Sequence, residues 1–145
     1  MENDYLAAHG FRTQYDAMAK EKFELEYIIN ASSKIIYSKI ATPSGLAEWF
    51  SDDVHIRGDI YTFFWEGSEE KARLISSRKD EFAKYRWLEL EEEGDKSYFE
   101  MRIKIDPLTK ELAIIVTDFA EEDELEDAQL LWKSQIDELK HILGS

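Results

Sequence analysis

Ala31-Ser32-Ser33-Lys34-Ile35-Ile36-Tyr37-Ser38-Lys39-Ile40-Ala41-Thr42-Pro43-Ser44-Gly45-Leu46-Ala47-Glu48-Trp49-Phe50 holds two helix starts in close succession. Ser32 or Ser33 can N-cap a helix over about Lys34 to Ala41, because a serine hydroxyl accepts from a backbone N–H that the first turn leaves unpaired. Ile35, Ile36, Tyr37 and Ile40 form the apolar stripe of that helix. Thr42 then caps a second helix, and Pro43 suits its first position, where the missing N–H costs nothing. This short helix carries Leu46, Trp49 and Phe50.

On the N-terminal side, Phe23 to Asn30 alternates. Phe23, Leu25, Tyr27 and Ile29 take one face, and Glu24, Glu26 and Asn30 the other, which is the period of a half-buried strand. On the C-terminal side a series of strands is predicted. Val54 to Arg57 ends at the turn dipeptide Gly58-Asp59. Ile60 to Trp65 puts Tyr61, Phe63 and Trp65 on one face. Lys71 to Ser76 is a weaker strand, and Phe82 to Leu90 runs up to an acidic turn at Glu91 to Asp95. Ser97 to Ile105 sets Phe99, Met101, Ile103 and Ile105 against Glu100, Arg102 and Lys104. Leu112 to Phe119 is apolar at nearly every position until Thr117-Asp118, as in a central strand covered on both sides.

The rest reads as one long helix. Glu121 to Glu124 crowd its first turn, where the macrodipole favours anions. Leu125, Ala128, Trp132, Ile136, Leu139 and Leu143 recur at spacings of three and four, with Leu131 and Ile142 widening the stripe. Trp132 is expected to face the sheet. Gly144 is the C-terminal stop. At 1.5 Å per residue such a helix spans about 30 Å, enough to cross a curved sheet. Strands joined by short turns and segregated from helices give an α+β domain with an antiparallel meander of six to seven strands.

The composition narrows the function. The chain has 145 residues, which suits one domain. It carries 32 acidic and 18 basic residues, a formal net charge of -14. A field of that sign repels phosphate backbones and anionic lipid, so a nucleic-acid partner is not expected. No apolar run approaches the roughly 20 residues of a membrane span, and the cytoplasm is the expected location. There is no cysteine, so no disulfide, thiolate zinc site or Cys nucleophile. His9, His55 and His141 lie in distant segments without partners at helical spacing, so neither a metal site nor a cofactor is expected. No phosphate loop and no G-x-S-x-G elbow is present.

The segment Ala31 to Phe50 resembles the opening of START-like proteins in the Bet v 1 superfamily, the SRPBCC group. These begin with a strand, then a helix of the type A-S-P-E-x-V-W, then a turn of helix of the type T-D-P-x-x-L-x-x-W-F. Gly58 before an aromatic strand, Tyr85-Arg86-Trp87 in a middle strand and a Trp in the C-terminal helix extend the resemblance over about Lys22 to Gly144. The branch it looks most like is the C-terminal domain of the activator of the heat-shock-90 chaperone ATPase.

The resemblance implies a helix-grip fold, a curved sheet closed over one long helix, with a cavity between them for an apolar or amphipathic molecule. Such families include lipid carriers, hormone receptors, polyketide cyclases and chaperone activators. Two positions depart from the pattern. Ile35 stands where a Glu often completes a capping box. Leu131-Trp132 replaces Gly-Trp, and Leu131 is expected to fill part of the space.

Trp49, Phe50, Phe63, Trp65, Tyr85, Trp87, Met101 and Trp132 are the candidate cavity residues, with a mouth near Trp49-Phe50. The alternative is a plain packed core. Arg73 and Arg86 lie within strands; facing inward they would meet an anionic head group, and facing outward they would pair with Glu across strands. Three functions follow. The first is a binding module for a small apolar or amphipathic molecule, without chemistry and with no catalytic residue. The second is a protein-interaction or chaperone-cofactor-like module, with a basic protein as partner. The third is an enzyme of cyclase or hydrolase type.

Residues 1–17 show no period of 2 or 3.6 and read as a leader, leaving 18–145 as the START-like domain. A chain beginning at Met18 should therefore melt within a few degrees of the full chain. A calorimetric drop of about ten degrees, which corresponds to more than 1 kcal/mol for this size, would show that the leader is docked structure.

Overall fold

A computed structural model describes residues 20–145. The proposed leader and the start at Met18 lie outside the described residues. The order of elements is β1 (Lys20–Ile28), α1 (Ser33–Ala41), α2 (Pro43–Leu46), β2 (Asp53–Arg57), β3 (Ile60–Trp65), β4 (Ser68–Arg78), β5 (Phe82–Trp87), α3 (Leu88–Glu92), β6 (Phe99–Ile105), β7 (Leu112–Glu121), a 3-10 turn (Glu122–Glu124) and α4 (Leu125–Leu143).

The strands form one antiparallel sheet in the order β1-β7-β6-β5-β4-β3-β2. All neighbours but one are consecutive in the chain. The exception is β1, which pairs with β7. Because β1 and β2 lie on opposite edges, the chain must cross from one edge to the other. α1 and α2 make that crossing, with α1 packed over β5 and β6. A register shift between Leu74 and Ser76 in β4 adds the local bend and twist that a bulge supplies.

The helix starts form as their residues dictate. Ser32 Oγ accepts from Ile35 N at 3.2 Å, and Thr42 Oγ1 accepts from Gly45 N at 3.0 Å with Pro43 at the first position of α2. α2 is shorter than the sequence suggests. It ends at Leu46, and Trp49 and Phe50 follow in turns closed by Phe50 N donating to Leu46 O at 2.8 Å. Gly45 allows the close approach of α1 and α2. A Cβ there would lie 1.9 Å from the backbone oxygen of Ser38.

The end of α1 is tied to the sheet. Tyr61 Oη donates to Ala41 O and Tyr85 Oη to Ile40 O, both at 2.6 Å. Two carbonyls that a helix terminus leaves without intrahelical partners are thus satisfied from below. Burial pushes both phenols up, Tyr85 well above its ordinary value.

Under these helices lies the core: Phe63, Tyr85, Phe99 and Met101 from the sheet, Ile36, Ile40 and Leu46 from α1 and α2, and Ile136 and Leu139 from α4. Trp132 faces the sheet as expected and is 5% exposed. Gly144, at φ 70°, ends α4 in the left-handed conformation that glycine adopts without penalty.

Three expectations are corrected. Leu88 to Leu90 is helix, not strand: Leu88-Glu89-Leu90-Glu91-Glu92 are strong helix formers whose alternation imitates a strand. Ile35 and Ile105, placed on apolar stripes, are 48% and 51% exposed. Leu131 fills no interior space and is 62% exposed.

Gly45→Ala should cost about 1–3 kcal/mol, the usual range for forcing atoms into a packed contact. Urea unfolding at neutral pH measures it. Wild-type stability in this variant would mean that α1 and α2 separate freely, against the contact described.

Candidate functional site

Three strands, one turn and one helix bring aromatic rings together at the open end of the sheet beside α2. β3 ends in Trp65, β5 in Trp87, and β6 begins at Phe99. Phe50 comes in from the turn after α2, and Trp132 descends from α4. Alternation along each strand sets these rings on the concave face, above Tyr61, Phe63 and Tyr85.

Phe50 is the hub. Its ring centroid lies 5.1 Å from Phe63, 5.8 Å from Phe99 and 5.9 Å from both Trp65 and Trp132. Trp87 approaches Phe99 to 5.0 Å and Phe63 to 5.7 Å. Most of these pairs are edge-on or tilted, which aromatic quadrupoles favour over face-to-face stacking. Phe63, Tyr85, Phe99 and Met101 are fully enclosed, whereas Trp65 and Trp87 remain half-buried.

Between the half-buried rings lies a cleft of about 450 Å³, lined by Phe50, Trp65, Trp87, Phe99 and Trp132 with Ser68, Glu70, Asp118, Leu131 and Gln135. Of the eight residues expected to line a cavity, Phe50, Trp65, Trp87 and Trp132 line this cleft. Phe63, Tyr85 and Met101 are packed beneath it. Trp49 lines an adjoining hollow with Glu48, Asp52 and Glu138, and its Nε1 donates to Lys39 O at 2.8 Å.

Arg73 and Arg86 are not in the cleft. Arg73 forms ion pairs with Asp59 and Glu91, each at 3.1 Å, and Arg86 donates to the carbonyls of Lys96 and Ser97 at 3.0 Å. Neither pairs with Glu on a neighbouring strand: the partners of Arg73 sit in a turn and a helix, and those of Arg86 are backbone carbonyls.

Sequence reasoning missed Ser68, Glu70, Phe99, Asp118 and Gln135 as cleft residues. The signal for Asp118 was present: a single carboxylate interrupts the apolar run of β7. Its Oδ2 accepts from Trp132 Nε1 at 2.8 Å and its Oδ1 from Phe119 N at 2.7 Å. Gln135 Nε2 and Trp65 Nε1 both donate to Phe50 O, at 3.2 and 3.1 Å, which fixes the hub residue from two sides. His55 is exposed on β2, 3.2 Å from Asp53, and is not a cleft residue. Among the described residues no group of three or more metal-ligating side chains is assembled, and no helix is long and apolar enough to cross a membrane.

Burial pushes the Asp118 carboxyl up to about 6, against the opposing pull of Trp132 Nε1, Phe119 N and the charge of Lys20. An unfolded Asp titrates near pH 3.9. The folded chain thus holds this proton more tightly than the unfolded one. The stabilisation is complete below about pH 4 and is lost as the pH rises through about 6. Two pH units correspond to roughly 1–3 kcal/mol, with allowance for screening at the cleft wall. Asp118→Asn removes the titration, so the stability of wild type relative to the variant should fall by about that amount between pH 4 and 7. A difference that stays constant across this window would mean that the carboxyl is fully hydrated.

The comparisons with known proteins agree with this architecture. The model of the START-like superfamily domain matches residues 17–145. The solution structure of BfR322 from Bacteroides fragilis is 35% identical, covers 87% of this chain and 93% of its own, and superposes with a TM-score of 0.62. The Aha1 dimer from Colwellia psychrerythraea is similar in fold at 16% identity, with 83% of this chain and 93% of that chain covered and a TM-score of 0.70. DynU16, a protein of the dynemicin biosynthetic locus, is 11% identical, with 86% and 47% covered and a TM-score of 0.69. No curated protein matches the chain. With its sheet, its long helix and nearly all its length matched, the chain belongs to the START-like superfamily.

Proposed function

We propose that this domain binds a small apolar or amphipathic molecule in the aromatic cleft and releases it unchanged. One observation carries the reading. Phe50, Trp65, Trp87, Phe99 and Trp132 surround a space of about 450 Å³ instead of closing it. That volume lies within the range of small-molecule sites, and its largely apolar wall with a few polar groups is their usual make-up. Domains of the START-like superfamily typically bind hydrophobic ligands, which agrees with the reading.

A second reading has its own support. Leu130 and Leu131 lie side by side on α4 at 59% and 62% exposure, next to an acidic helix start at Glu122 to Asp127. An apolar pair beside a strong negative field suits a basic protein partner.

Fluorescence titration separates the two, because three of the four tryptophans line the cleft. Fatty acids, long-chain alcohols, amines and aromatic compounds should shift the emission at micromolar concentration. Trp87→Ala should weaken that binding about tenfold or more by removing a half-buried wall. If no compound binds below about millimolar, the cleft reading fails and the interaction reading takes its place.

A further inference from the structure

The charged groups that line the cleft are of one sign. Its two charged lining residues are Asp118 and Glu70, and among the described residues no lysine or arginine lines it. The adjoining hollow, which shares Phe50, Trp65, Leu131 and Gln135 with the cleft, adds Glu48, Asp52 and Glu138. Lys20, whose charge reaches Asp118, is engaged by Asp95 at 2.6 Å, and Lys39 is engaged by Glu48 of the adjoining hollow at 2.9 Å. Arg73 and Arg86 are held elsewhere by carboxylates and carbonyls.

The hydrogen-bond inventory points the same way. Of the donors in the wall, Trp65 Nε1 and one N–H of Gln135 Nε2 are spent on Phe50 O, and Trp132 Nε1 is spent on Asp118. The hydroxyl of Ser68, the indole N–H of Trp87 and the second N–H of Gln135 remain. The acceptors outnumber them. Each Asp118 oxygen accepts one bond and has a second lone pair, and Glu70 is an exposed carboxylate on the rim. A molecule entering this space meets surplus acceptors, surplus negative charge and the π-faces of several rings. An anion would be repelled, and a neutral apolar molecule would bring no charge to offset that of Asp118, whose oxygens accept only from Trp132 and Phe119.

We infer that the polar end of the ligand is an organic cation, a protonated or quaternary amine, seated against the tryptophan rings of the cleft with Asp118 and Glu70 as its counter-charges. This rests on the cleft being a binding site. Indole faces attract cations most strongly where water is excluded, and the carboxylates offset the cost of desolvating the ammonium.

Three probes with one tail test it: decyltrimethylammonium, decanol and decanoate, each below its micelle concentration and followed by tryptophan fluorescence. The ammonium should bind about tenfold tighter than the alcohol, and decanoate should be weakest. Glu70→Gln and Asp118→Asn should each weaken the ammonium about threefold or more and leave decanol unchanged. Glu69→Gln removes the same charge from the next position of β4, on the opposite face, and should leave all three unchanged. Decanol or decanoate binding as tightly as the ammonium overturns the charge assignment and leaves the cleft reading standing. So does an equal loss in Glu69→Gln and Glu70→Gln, which would make the attraction a property of the whole negative field. If none of the three binds, the cleft reading falls with it.

Discussion

The bonds from Tyr61 and Tyr85 to the last carbonyls of α1 decide where everything at the open end of the sheet is placed. A helix terminus set down on an apolar surface leaves carbonyls that neither water nor the helix can satisfy, and such groups cost free energy comparable to a lost hydrogen bond. Two phenols on the concave face, from β3 and β5 on either side of β4, meet that need at the point where the chain turns. The turn is then tight enough that only glycine fits at position 45. The chain emerges from it with Phe50 directed into the rings. Phe50 in turn accepts from Trp65 and Gln135, so one backbone oxygen joins β3 to α4. The position of the cleft is thus a consequence of how α1 ends.

The aromatic residues have two roles, divided by depth. Phe63 and Tyr85, with Met101 beside them, are close-packed and give the core its density, and Phe99 is buried at the floor of the cleft. Trp65 and Trp87 sit one residue pair further along their strands, where α1 no longer covers the sheet. Rings of that size do not interdigitate like aliphatic side chains, and the gap between them opens to solvent. The result is a cleft at the mouth of the sheet above a filled interior, instead of a deep chamber along α4. Leu131 contributes to this arrangement from outside, as part of the rim.

Much of this was legible in the sequence. Alternation in β1, β3 and β6 gave the concave face directly, and Ser32, Thr42 and Pro43 marked both helix starts through local chemistry that needs no tertiary context. The misreadings share a cause. Leu88 to Glu92 alternates like a strand, and only the absence of a sheet partner beyond Trp87 lets helix propensity win there. Ile35, Ile105 and Leu131 carry the right residue type for a buried stripe but lie where no element covers them. Of the site, the sequence showed which rings would share a face but not their depth, because depth depends on how far α1, α2 and α4 extend over the sheet. Asp118 could have been singled out as the charge in an apolar strand. Phe99 and Gln135 could not have been assigned to the cleft without their neighbours.

The pairing of the first strand with the last has a kinetic consequence. Ile28 meets Ala113 and Lys20 meets Glu121, so almost the whole domain lies between the partners. On a ribosome β1 emerges well before β7 and must wait for its partner until β7 has been made. The consecutive hairpins from β2 to β6 can form meanwhile, since they close short loops. The charged residues of β1, Lys20, Glu21, Lys22, Glu24 and Glu26, are then what keeps a waiting strand from pairing with another nascent chain.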